Sequence, residues 1–95
     1  MEQERVGRLR TPKPNEIVGK VDEFLGGDKM RVTCADGKER ICRIPGKIRK
    51  TLWIRVGDVV LIEPWHVQSD TRADVVWRYT AAQTFWLRKE GIIKK

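Results

Sequence analysis

The sequence predicts an all-β domain, a small closed barrel of five strands followed by a C-terminal helix. Three observations predict it. Five short apolar or alternating stretches are each bounded by Gly, Pro or Asp turn signals. Asp36-Gly37 is a tight hairpin signal between the second and third of them. Thr80-Ala81-Ala82-Gln83 has the T-x-x-Q spacing of a capping box, which opens a helix after the last strand.

A chain of 95 residues supports one domain. At 40% hydrophobic residues it can fill one small core, and at 35% charged residues it is too polar for a membrane protein. No apolar run approaches the roughly 20 residues that span a bilayer. Met1-Glu2-Gln3-Glu4-Arg5 lacks the apolar segment of a secretory leader, so a cytoplasmic location is expected. Residues 1–14 alternate charges and end in Thr11-Pro12-Lys13-Pro14, and are expected to be a mobile tail. The barrel is expected over residues 15–79, with a packed helix and tail over residues 80–95.

The first strand is placed at residues 16–24, with Ile17, Val18, Val21 and Phe24 as its apolar residues. Gly26-Gly27-Asp28 turns the chain. In the second strand, residues 29–34, Met30, Val32 and Cys34 share one face and Lys29, Arg31 and Thr33 the other. The third strand is placed at residues 38–44. A two-residue loop at Asp36-Gly37 would pair Met30 with Arg43 and mix charged with apolar residues on each face. A three-residue loop, with Gly37 left-handed, pairs Met30 with Cys42 and gathers Met30, Val32, Cys34, Cys42 and Ile44 on one face. A one-residue slip flips every side chain, so the hydrophobic pattern selects the second register. Lys29, Arg31 and Arg43 then share the outer face, and Ile41 falls outward with them. Arg40 falls on the inner parity near the hairpin end, with a stem long enough to reach solvent. In either register Cys34 and Cys42 are several residues out of step, too far apart for a disulfide, and read as small core residues.

Pro45-Gly46 ends the third strand. Residues 47–53 form a short helix or helical turn, with Ile48 and Leu52 inward and Lys47, Arg49 and Lys50 outward. Val56-Gly57-Asp58 turns into a fourth strand at residues 59–63, apolar on both faces and therefore central. Residues 66–73 are a polar loop. The fifth strand, residues 74–79, puts Val75, Trp77 and Tyr79 on one parity. In the helix, Ala82, Phe85 and Trp86 make an apolar face, Arg88 and Lys89 suit the last turn, and Gly91 is a natural C-terminal stop. Five strands with a helical link after the third follow the order of an OB-fold, whose second and third strands and adjoining loops bind oligonucleotides.

Charge placement points the same way. The whole chain carries a formal +7, and residues 29–55 alone hold nine basic side chains against Asp36 and Glu39, also +7. The remaining residues balance. A soluble surface mixes its signs, whereas a confined basic stretch attracts a polyanion. Lys47-Ile48-Arg49-Lys50-Thr51-Leu52-Trp53 is its densest part. Phosphates take the cations, and unpaired bases stack on aromatic faces. Trp53 either supplies such a face or packs in the core beside Leu52 and Ile54. Trp65, at a strand end, fits either role. Trp77, Tyr79, Phe85 and Trp86 read as core and helix-packing residues.

Catalytic patterns are missing from the sequence. There is no nucleophile triad spacing, no Gly-rich phosphate loop before a helix, no Cys-x-x-Cys and no paired carboxylates. His66 is alone in a polar loop, and one His with two Cys is too few for a protein-only zinc site. No enzyme activity, cofactor or metal is expected.

The run Cys42-Arg-Ile-Pro-Gly-Lys-Ile-Arg-Lys-Thr-Leu-Trp-Ile54, followed by Gly57-Asp58-Val-Val-Leu-Ile62, resembles the translation initiation factor 1A family in its shorter, archaeal form. Ala73-Asp-Val-Val-Trp-Arg-Tyr79 is similar to that family's fifth strand. Gly46-Lys47-Ile48-Arg49-Lys50 is also shared with the bacterial first initiation factor. The resemblance covers residues 16–90. It implies an OB barrel with a helix packed on it, acting as a monomer in the aminoacyl-tRNA site of the small ribosomal subunit. There the factor binds rRNA of the decoding centre and helps the initiator tRNA complex and start codon engage. For rRNA contact the resemblance implies Lys29, Arg40, Lys47, Arg49, Lys50 and Trp53, to which the face argument adds Arg31 and Arg43. The eukaryotic members carry a long acidic C-terminal tail that docks the subunit-joining GTPase initiation factor, a further implied partner. This chain ends Ile92-Ile93-Lys94-Lys95 instead. The alternative is a general single-stranded RNA or DNA binder of cold-shock type. Such a protein carries several aromatics on the second and third strands, and here those strands have none.

Overall fold

The structure, a computed structural model, describes residues 11–46 and 53–91. The expected helical turn at residues 47–53 lies outside the described residues up to position 52, as do most of the expected N-terminal tail and residues 92–95. The elements are β1 (Ile17–Gly26), β2 (Lys29–Cys34), β3 (Glu39–Arg43), β4 (Val59–Pro64), β5 (Arg72–Tyr79) and α1 (Ala81–Lys89). The strands close into a barrel in the order β1-β2-β3-β5-β4, with β4 returning to β1. Every pairing is antiparallel except β3 with β5.

The β2–β3 register is the one the hydrophobic pattern selects. Met30 pairs with Cys42 and Thr33 with Glu39. The Gly37 amide donates to the Cys34 carbonyl, and Gly37 takes φ +88°, which a side chain would strain. β1 is longer than expected and carries two register shifts, at Asp22 and Leu25. Such bulges bend and twist a strand, here the one that must pair with both β2 and β4. Gly19 on β1 has a packing role. A Cβ there would lie 2.4 Å from Val32 Cγ1, so the close approach of β1 to β2 needs the missing side chain.

The barrel interior is filled by Val21, Met30, Val32, Cys34, Cys42, Ile44, Val60, Ile62, Ala73 and Val75. A second cluster lies outside the barrel wall, where Val59, Leu61, Tyr79 and Leu87 pack with Val18, Val76 and Trp77. β4 is thus covered on both sides, as its unbroken apolar run requires.

Two expectations are corrected. Val75, Trp77 and Tyr79 do not share a face. Ile62 pairs with Val75 but Leu61 with Trp77, so Val76 is an extra residue on β5. This bulge leaves Val75 in the interior and turns Trp77 and Tyr79 toward the helix-covered cluster. The helix itself buries Thr84 and Leu87, not Ala82, Phe85 and Trp86. Ala82 is exposed, Trp86 half-buried, and Phe85 63% exposed. The reason is the short join. Only Thr80 separates β5 from α1, and as N-cap it accepts from the Gln83 amide while the Gln83 side chain accepts from the Thr80 amide. That junction sets the rotation of the helix, and Leu87 meets the sheet. Phe24, counted as a strand apolar residue, is likewise 43% exposed, at the tip of the β1–β2 hairpin.

Candidate nucleic-acid interface

The β2–β3 register sets the first part of the basic surface. Lys29 lies directly opposite Arg43, and Arg31 opposite Ile41, all with outward parity. The fold brings each of these cations an acid from outside the basic stretch or at its edge. Lys29 Nζ is 3.7 Å from Asp28, Arg31 is paired with Glu23 across the β1–β2 ladder, and Arg43 Nη2 donates to Asp74 Oδ2 at 3.2 Å. Exposed pairs of this kind are worth about 0–1 kcal/mol, so an incoming phosphate can compete with them. They still move the uncompensated charge away from the strand face. Among the described residues no ion pair is found for exposed Lys38 or Arg55, and Lys47, Arg49 and Lys50 lie outside the described residues.

Arg40 does not reach solvent. It is 3% exposed, with Nη1 and Nη2 donating to Asp36 Oδ1 and Oδ2 at 3.1 and 2.9 Å. Its Nε donates to the Ser69 carbonyl at 2.6 Å. The guanidinium is spent on a bidentate pair and a loop carbonyl, so Arg40 ties the β2–β3 turn to the β4–β5 loop and leaves no edge for a ligand. The same hydrogen bonds lower the Asp36 carboxyl below its ordinary 3.8. Stabilising partners, Asp36 first, raise the Arg40 guanidinium.

Trp53 stands at the end of the basic segment and is 74% exposed. That removes it from the core and leaves its ring free to stack. Trp65, which the sequence left open, is half-buried at the end of β4. Its Nε1 donates to Asp74 Oδ1 at 2.9 Å, and the Arg43 guanidinium carbon lies over its ring, 5.8 Å from the centroid. Sequence reasoning missed this group. The signal was the strand order itself, because a parallel β3–β5 pair sets Arg43 beside Asp74.

Cys34 and Cys42 are buried free thiols. Burial raises the Cys34 thiol and pushes Cys42 up to about 12. Both remain protonated and inert near neutral pH. Among the described residues no group of three or more His, Cys, Asp or Glu could hold a metal ion. No helix of the described residues is long and apolar enough to cross a membrane. The chemistry that the surface offers is cationic and planar: guanidinium, ammonium and indole.

Residues 6–95 match the family described as translation initiation factor 1A / IF-1. The chain is 50% identical over 91 residues to translation initiation factor 1A of Methanothermobacter thermautotrophicus, covering 96% of this chain and 92% of the relative. It is 52% identical over 91 residues to that of Methanopyrus kandleri, covering 96% and 81%. Among solved structures it resembles translation initiation factor IF-1 from the Wolbachia endosymbiont of Brugia malayi, at 25% identity and a TM-score of 0.55, over 81% of this chain and 88% of that one. The barrel is an OB-fold. With an archaeal relative half identical over nearly its whole length, and a family match that runs through the barrel and the helix, this chain belongs to the translation initiation factor 1A / IF-1 family.

Proposed function

We propose that this chain binds rRNA of the small ribosomal subunit in the aminoacyl-tRNA site, at the decoding centre, and promotes engagement of the initiator tRNA and start codon. The observation that carries this reading is the confinement of the whole +7 to residues 29–55 in a chain of this family. Lys47, Arg49 and Lys50 are its densest cations. Lys29, Arg31 and Arg43 extend it along the strand face, and exposed Trp53 stands where a base can stack. Arg40 supports the surface from within and makes no contact. The factor works as a monomer in the cytoplasm, without catalysis. It meets the initiator tRNA complex on the subunit.

Co-sedimentation with isolated small ribosomal subunits, with free single-stranded RNA as competitor, tests the reading. Binding to subunits should exceed binding to free RNA. If about five phosphates are contacted, log affinity should fall with log salt at a slope of roughly −3.5 to −4.5. A slope near zero, or equal affinity for subunits and free RNA, refutes it.

A further inference from the structure

We propose that Arg43, backed by Trp65 and held by Asp74, is a stacking plane for an unpaired RNA base rather than a clamp on phosphate. This deepens the rRNA-binding reading above and rests on it. A single carboxylate orients two flat groups: Asp74 Oδ2 accepts from Arg43 at 3.2 Å, and Asp74 Oδ1 from the Trp65 indole at 2.9 Å. The guanidinium carbon sits 5.8 Å from the ring centroid, inside the roughly 6 Å range of a cation–π contact. Arg43 is thus fixed at one edge and backed by a ring, and its charge is already offset by an acid. Its side chain is still 49% exposed, so the guanidinium is reachable from solvent. A flat, weakly hydrated cation of this kind takes a base on its face.

The surroundings agree. Lys29, directly opposite Arg43, is 56% exposed and can take the adjoining phosphate. β2 and β3 carry no aromatic residue, so a base lying on this face finds its flat partner in a guanidinium or in a ring at a strand end. Arg43 and Trp65 together supply both.

The test separates base from phosphate. Arg43→Lys keeps the charge and removes the plane. Binding is measured to a short oligoadenylate and to an abasic ribose-phosphate strand of the same length, across a salt series, with thermal melting as the control on folding. Arg43→Lys should weaken oligoadenylate binding about tenfold, leave the abasic strand and the salt slope unchanged, and melt with the parent. Trp65→Leu should act in the same direction; if it fails to fold, Arg43→Lys alone decides. The proposal is overturned if Arg43→Lys binds both strands as the parent does, if it weakens both equally, or if the parent binds neither strand. Co-sedimentation of the parent with small subunits is read separately. Its absence, with the oligoadenylate difference intact, refutes the ribosomal reading and leaves the stacking plane standing.

Discussion

Arg40 joins the β2–β3 turn to Ser69, 29 residues further along the chain from Arg40, and it does so from inside the barrel wall. Arg40→Ala leaves Asp36 and the Ser69 carbonyl without their partner. Hydrogen bonds to charged groups are worth about 1.5–3 kcal/mol, and urea melting of Arg40→Ala should show a loss of that order. Binding to small subunits should keep its salt slope, because no phosphate contact is removed. The pair also sets an acid dependence. Asp36 has a lowered carboxyl in the folded state, so its contribution is complete above the ordinary value of 3.8 and is lost as the pH falls through the lower folded value. Melting of the parent and of Asp36→Asn should therefore differ most near neutral pH and converge as the pH falls below the lowered folded value. A gap that stays constant down to that pH contradicts the pairing. The sequence placed Arg40 on the inner parity correctly. Its destination was not legible, because Asp36 lies across a turn and Ser69 in a loop whose position only barrel closure fixes.

The helix is the element where apolar spacing misled. Ala82, Phe85 and Trp86 fall at i, i+3 and i+4, and that spacing argued for one buried face. The capped junction at Thr80 instead turns Leu87 and Thr84 to the sheet. Leu87→Ala should cost about 2–5 kcal/mol of stability by chemical denaturation. Phe85→Ala, at a position 63% exposed, should stay within about 0.5 kcal/mol. The reverse order of effects returns Phe85 to the core. The bulge at Val76 escaped notice for a related reason. No glycine or proline marks it, and only the partner strand reveals that β5 has one residue too many. The β2–β3 hairpin was legible throughout, since Gly37 and the alternation of Met30, Val32 and Cys34 leave one register that keeps apolar residues together. Of the two tryptophans that the sequence left open, exposure takes Trp53 out of the core, while the place of Trp65 needed the parallel strand beside it.

At the scale of the molecule, charge and shape separate. The strand-face cations are each offset by an acid, so the free positive charge should lie toward residues 47–55. Replacing both Arg49 and Lys50 by Ala should leave melting unchanged within about 0.5 kcal/mol and make the salt slope shallower by roughly 1.4–1.8 units. Trp53→Ala is the contrast: at 74% exposure it should leave melting unaltered and weaken subunit binding by about 1–3 kcal/mol. An unchanged slope in the double variant moves the rRNA contact elsewhere.

The barrel closes through β5, which fits between β3 and β4 and pairs parallel with the first and antiparallel with the second. A nascent chain emerging from its N-terminus can pair β1 with β2, β2 with β3 and, once residue 64 is out, β1 with β4. At that stage it is an open four-stranded sheet with β3 and β4 as bare edges. Unpaired edges recruit strands from other chains, and β4, apolar on both faces, is the more exposed to that hazard. The final strand to be synthesised is therefore the keystone. Until it arrives, the interior thiols of Cys34 and Cys42 stand open to alkylating reagents; once it is seated, they are sealed.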